Sequence, residues 1–142
     1  KKKLLKATEF GDKYEWTGEI LGTGAYSTVR EARHKGTGEV YAVKQINKMA
    51  AHEYADDVRA QVFDEYDLLQ RCRIEGKPHP NILDMVDFFE DELDYLMVFE
   101  KMAGGELLQH IYARKTFTER EAADVTRDIA NALAHLHKRG IA

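Results

Sequence analysis

A single cysteine, Cys72, leaves no possibility of an intrachain disulfide, and a reducing compartment is the expectation. It falls near the end of a predicted helix and reads as a plain helix thiol. The only two prolines, Pro78 and Pro80, mark one short loop. Long apolar runs are missing too. The longest is about five residues, Tyr95 to Phe99, against the ~18 needed for a helix to cross a bilayer. The basic residues at the start (Lys1 to Lys3 and Lys6) are not followed by the apolar region of a signal peptide. They read as a solvated terminus, with a nuclear-import or membrane-surface patch as the alternative. The expected location is intracellular, cytoplasmic and/or nuclear, with no membrane span. The net charge of −4 supplies no basic surplus, so no nucleic-acid partner is expected. No C-x-x-C or H-E-x-x-H spacing occurs. His135 and His137 stand two apart on a helical segment and do not share a face, so no metal site is expected from the histidines.

What remains is 44 % hydrophobic and 32 % charged, the balance of a soluble domain with material for a core. Residues 1–13 read as an extension. Tyr14 to Leu21 interleave apolar and polar positions like a strand and end at Gly22. Ser27 to His34 alternate less cleanly and fit a short helix or a strand. The K-G-T-G turn at 35–38 and the apolar run Val40 to Ile46 behind it favour a strand. Val58, Val62, Tyr66 and Leu69 recur at helical spacing within a helix predicted from about Tyr54 to Cys72. Ile74 to Pro80 read as a loop. Ile82 to Phe89 and Asp94 to Phe99 read as strands joined by an acidic turn. After Gly104-Gly105, Glu106 to Ala113 form a short helix. Thr118 and Glu121 make a capping-box pair ahead of a helix striped by Val125, Ile129, Leu133 and Leu136, which ends at Gly140. No internal repeat is present.

Two features carry chemistry. Gly22-Thr23-Gly24-Ala25-Tyr26-Ser27 is either a plain hairpin turn or a cradle in which backbone N–H groups approach phosphate oxygens unhindered by a Cβ. It lacks the third glycine and the following helix of a dinucleotide-binding loop. The second feature is Lys44, set among apolar residues in a predicted strand. A lysine there either faces solvent from an edge strand or has a partner. Glu65, in E-Y-D-L-L on the next helix, is the partner that would hold its ammonium against the α- and β-phosphates of a nucleotide.

Together, L-G-T-G-A-Y-S-T-V at 21–29, Y-A-V-K at 41–44 and E-Y-D-L-L at 65–69 resemble the signature set of the protein kinases. H-P-N-I-L at 79–83, M-V-F-E-K-M-A-G-G-E at 97–106 and L-H-K-R-G-I-A at 136–142 continue the resemblance in order, over residues 14 to 142. Within the kinases the likeness is to the calcium/calmodulin-dependent group, and V-F-D-E-Y-D-L-L-Q-R-C and V-D-F-F-E-D-E are most similar to the MAP-kinase-interacting kinases. Three departures stand out: Ser27 for the third loop glycine, a longer loop at 73–78, and Glu106 where those kinases tend to carry serine.

The resemblance implies an α+β kinase fold. It places a five-stranded antiparallel N-lobe and hinge at 14–102 and the first helices of a C-lobe at 103–142. It implies that Leu21, Val29 and Ala42 sandwich an adenine, with Gly22 and the loop Thr23, Gly24, Ala25, Tyr26, Ser27 and Thr28 over the phosphates. Lys44 would contact the α/β-phosphates and pair with Glu65. Phe99 would be the gatekeeper. The Glu100 carbonyl and Met102 backbone would meet the adenine edge, and Glu106 the ribose or a basic substrate residue. Leu69 and Met85 would belong to the hydrophobic spine. ATP, Mg2+ and a protein substrate are the implied ligands, and an upstream kinase or a calcium/calmodulin-type regulator a possible partner. The H-R-D and D-F-G motifs are expected beyond Ala142, so these 142 residues alone are expected to be inactive. A nucleotide-binding pseudokinase or scaffolding module is the alternative.

Overall fold

The computed structural model describes residues 7–52, 57–114 and 116–142. The chain divides into two compact units. The first runs to Leu69 and resumes over Asp84–Lys101; the second comprises Gln70–Leu83 and Met102–Ala142.

The first unit is built on one antiparallel sheet of five strands: β1 (Tyr14–Thr23), β2 (Ser27–His34), β3 (Val40–Asn47), β4 (Met85–Glu90) and β5 (Asp94–Glu100), in the order β1-β2-β3-β5-β4. Ser27–His34 is thus a strand. Its turn partner explains why: Gly38 takes a positive φ of 75°, and the turn it closes returns the chain as β3, in register from Ser27↔Ile46 to Arg33↔Val40. Strand β4 starts three residues later than the predicted Ile82, because Pro80 and the turn at 80–82 precede it.

Alternation along the strands gives the sheet two different faces. One face carries Val43, Ala32, Leu96, Val98 and Phe89, which form a core with Phe10 and Tyr14. Phe10 lies on helix α1 (Ala7–Lys13). Residues 7–13 of the expected extension at 1–13 thus form a helix. A seven-residue helix is too short to display a period, and its anchor, Phe10, is held by rings distant in sequence. Phe10 meets Phe89 edge-on at 5.4 Å and stacks on Tyr14 at 5.3 Å. Residues 1–6 lie outside the described residues.

The other face carries Ile46, Met97, Phe99, Tyr95, Phe88 and Met85, packed with Val62 of helix α3 (Val58–Cys72). The predicted start of that helix near Tyr54 lies outside the described residues. A short helix α2 (Lys48–His52) precedes it, unannounced by any apolar period. Asn47 opens it by accepting the Ala50 N–H through its side chain at 2.9 Å. Strand β5 is buried on both faces from Tyr95 to Phe99, which is why this was the longest apolar run.

The second unit holds helices α4 (Leu107–Arg114) and α5 (Glu119–Lys138). The capping box at α5 is formed: Thr118 accepts the Glu121 N–H, and Glu121 accepts the Thr118 N–H at 3.0 Å. The Thr118 N–H and hydroxyl, both donating to it, hold the Glu121 carboxyl below the usual range. At the other end Gly140 takes φ 67°, and the Ile141 N–H reaches back to the Leu136 carbonyl. On the apolar stripe Ile129 and Leu133 remain 52 % and 48 % exposed. Ile74 and Lys77 exchange both backbone hydrogen bonds around Glu75 and Gly76, which have positive φ, so the predicted loop is locally a tight hairpin. His135 is buried and bonds the Cys72 carbonyl at 2.6 Å. Cys72 itself is buried, and burial pushes its thiol pKa up, consistent with an inert structural thiol.

Candidate functional site

The glycine-rich segment forms the connection between β1 and β2. Thr23 pairs with Thr28, and the Gly24 N–H donates to the Ser27 carbonyl at 2.7 Å. A Cβ on Gly24 would stand 3.0 Å from the Ser27 hydroxyl, whereas one on Gly22 would meet nothing within 4 Å. Neither glycine has a positive φ. The chain's own packing therefore gives no reason for glycine at position 22, and the space beside it is open for something else to approach. Leu21 lies at a bulge: β1 advances from Ile20 to Gly22 while β2 moves only from Arg30 to Val29.

Lys44 stands on β3, which is interior to the sheet, so it is not an edge-strand lysine. It is flanked by Val29 on β2 and Met97 on β5 in direct register. Its ammonium lies 3.1 Å and 3.3 Å from the two carboxylate oxygens of Glu65. Helix α3 brings that carboxylate over the sheet. Glu65 follows Val62 by three positions and precedes Leu69 by four, so it falls on the apolar stripe that packs down. The two side chains keep 32 % and 41 % of their exposure. At that exposure an ion pair contributes only ~0–1 kcal/mol to stability. The pair is a geometric feature more than a stabilising one.

Two positions along, Glu31, Ala42, Phe99 and Met85 line up across four strands on the same face. Phe99 and Met85 are buried, Ala42 and Val29 are partly open, and Leu69 packs against the cluster. Leu21, Val29, Ala42, Lys44, Glu65, Phe99 and Glu100 all belong to the first unit. Met102 and Glu106 belong to the second; Met102 is 61 % exposed, and Glu106 is exposed. Glu100 is tied at its own strand end: its carboxylate accepts the Asp84 N–H at 3.0 Å, and its N–H donates to the Asp84 carbonyl at 3.3 Å. A cavity of about 330 Å3 at the hairpin tip is lined by Gly24, Tyr26, Gln45, Asn47 and Asp94. It opens beside Gln45, whose side chain alternates away from that of Lys44, so it is not the space beside the Lys44–Glu65 pair.

An ion pair on a central strand, beside a glycine hairpin whose first glycine faces open space, is an arrangement suited to gripping phosphate. The family model of the protein kinase domain matches residues 16–142. This chain belongs to the protein kinase family. As a kinase domain it is 44 % identical over 147 residues to MAP kinase-interacting serine/threonine-protein kinase 2 of Xenopus laevis, covering all of this chain and 30 % of that protein. It is 40 % identical over 124 residues to calcium/calmodulin-dependent protein kinase type I of Schizosaccharomyces pombe, covering 87 % of this chain and 35 % of that one. Among solved structures it resembles Rad53 1–466 in complex with AMP-PNP, with a TM-score of 0.78 at 29 % identity over 91 % of this chain and 32 % of that one. The chain thus spans about a third of the length of these relatives. The α+β kinase fold and the likeness to the MAP-kinase-interacting and calcium/calmodulin-dependent kinases, expected from the motifs, are both found.

No site role attaches to Glu31, Lys101 or Asp84 from the sequence motifs alone. Glu31 had a signal: Ser27, Val29 and Glu31 share one face of β2, and it is the one acidic side chain among them. Among the described residues no helix is long and apolar enough to cross a membrane, and no group of three or more His, Cys, Asp or Glu is placed to hold a metal ion.

Proposed function

We propose that this chain is the ATP-binding portion of a protein serine/threonine kinase, which passes the γ-phosphate of ATP to a hydroxyl of a protein substrate. The observation that carries the reading is the Lys44–Glu65 pair at 3.1 Å, next to the glycine hairpin. ATP supplies the transferable phosphoryl group. Leu21, Val29 and Ala42 hold its adenine by apolar contact. Phe99 closes the space behind the ring as gatekeeper. The Glu100 carbonyl and the Met102 backbone take the polar edge of the adenine. The backbone from Gly22 to Thr28 covers the phosphates, and Lys44, kept in place by Glu65, neutralises charge on the α- and β-phosphates. Glu106 reaches the ribose or a basic substrate residue.

Mg2+ accompanies ATP in this family, but the described residues do not fit a metal site, and the ligands of the ion are assigned outside them. H-R-D and D-F-G sequences do not occur among the 142 residues, so the chain by itself lacks the base that takes the proton of the substrate hydroxyl. The test is phosphotransfer to a serine or threonine peptide. The full-length protein is expected to label the peptide, and the 142-residue chain to bind ATP weakly and label nothing. Phosphotransfer from the short chain overturns the division of labour. A full-length protein that binds ATP and transfers nothing identifies a pseudokinase.

A further inference from the structure

Glu31 is one of only two charged or polar residues found buried among the described residues, at 8 % exposure. Its carboxylate takes a hydrogen bond and an ion pair from the Lys101 ammonium. The side chains are 11 % and 30 % exposed, more enclosed than Lys44 and Glu65. Desolvating two charges offsets most of their attraction, so such a pair adds little net stability, and its effect is to select one geometry.

The geometry it selects is specific. Glu31 is directly opposite Ala42, and Ala42 is directly opposite Phe99. Lys101 follows Phe99 by two and continues on the same face. The pair therefore bridges from the end of β5 to β2, over β3. Two strand spacings are about 9.5 Å, within reach of a lysine and a glutamate that meet head to head across β3. The next residue back, Glu100, is tied the opposite way, to Asp84 at the start of β4. Consecutive residues at the end of β5 are thus anchored to opposite sides of the sheet, and the backbone between them is the segment to which the proposed function assigns the adenine edge.

We infer that the Glu31–Lys101 pair is a positioning element for the adenine end of the nucleotide, setting where the Glu100 carbonyl stands without touching the phosphates. The inference rests on the reading of the site as ATP-binding. It distinguishes two pairs on one face: Lys44–Glu65 acts on phosphate, Glu31–Lys101 on the base.

The experiment measures binding of ATP, adenosine and inorganic tripolyphosphate to the full-length protein, wild type and variants. Glu31→Gln and Lys101→Met are each expected to weaken ATP and adenosine by a similar factor, about three- to tenfold, the worth of one well-placed hydrogen bond. Tripolyphosphate binding should not change. KM for ATP should rise while kcat stays near wild type. Lys44→Met gives the opposite pattern, losing ATP and tripolyphosphate and keeping adenosine. The exchanged double variant, Glu31→Lys with Lys101→Glu, should recover adenosine binding relative to either single exchange, which guards against a single variant that folds poorly. Unchanged adenosine affinity and KM in a folded Glu31→Gln protein overturn the inference, as does a lowered melting temperature with no change in KM, the mark of a purely structural pair. A wild-type protein that binds neither ATP nor adenosine overturns the proposed function itself, and is distinguishable from either result.

Discussion

The two faces of the sheet are made by the same strands and differ in kind. The face under α1 is closed by aromatic rings: Phe10, Tyr14 and Phe89, with Val43, Leu96 and Val98, all 5 % exposed or less. Its polar group at the margin is satisfied, Tyr14 donating to Asp87 at 2.6 Å. The face under α3 mixes a buried apolar cluster with two ion pairs and the partly open Val29 and Ala42. Alternating side chains let one strand serve both ends. Val43 seals one face while its neighbours Ala42 and Lys44 equip the other. Both faces hold a buried core, but only the α3 face also carries the residues of the proposed site, so substitutions one residue apart should have unlike consequences.

The largest effect expected is on the closed face. Phe89→Ala removes a fully buried ring that packs on Phe10 and Tyr14 and should cost about 3–5 kcal/mol, read as a lower denaturant midpoint. A loss under ~1 kcal/mol would mean that the Phe89 ring is not held as a core residue. On the open face, Lys44→Met in the full-length protein should lower phosphotransfer by about 2–4 kcal/mol in the activation barrier, or roughly 30- to 10³-fold. Its stability should move by no more than ~1 kcal/mol. Activity and the circular dichroism melt of the same sample check both halves, and near-normal turnover in a folded variant would remove Lys44 from the site.

A subtler test uses Phe99, which belongs to the open face yet is only 8 % exposed. Phe99→Gly should let the full-length protein accept adenine analogues with bulky N6 substituents that the wild type rejects. Competition binding reads the change, and equal rejection by both proteins would mean that the phenylalanine does not wall the base. The smallest effect is in pH. Burial and the Asp87 hydrogen bond push the Tyr14 hydroxyl above its usual value of 10.0. Its contribution is full below pH 10 and fades as pH rises toward the folded-state value. The Lys101 hydrogen bond, assisted by Thr17, holds the Glu31 carboxyl below its usual 4.5. That contribution is full above 4.5 and is lost as pH falls through the lowered value. Tyr14→Phe should flatten only the alkaline limb of the stability curve, and Glu31→Gln only the acid limb. Melting temperatures across pH decide it, and crossed effects would contradict the assignment of each group to its face.

Much of this was legible in the sequence because it depends on local pattern. The two-residue alternation in β1, the apolar runs of β3 and β5, the helical spacing of Val58, Val62, Tyr66 and Leu69, and the Thr118–Glu121 cap follow from backbone geometry, which repeats at short range. The kinase motifs announced Lys44 and Glu65. A lysine set among apolar strand residues calls for a carboxylate partner, and a glycine turn leaves the backbone open to close approach. Tertiary structure decided the rest. Helix α1 is too short to announce itself and exists through the fit of Phe10 among rings up to about eighty residues away. That Lys44 lies on an interior strand followed from the order β1-β2-β3-β5-β4, which no stretch of sequence contains. Glu31 and Lys101 are seventy residues apart and inconspicuous alone. Only the register of three strands brings their charges together, because long-range pairing is set by how strands align and not by what any one strand prefers.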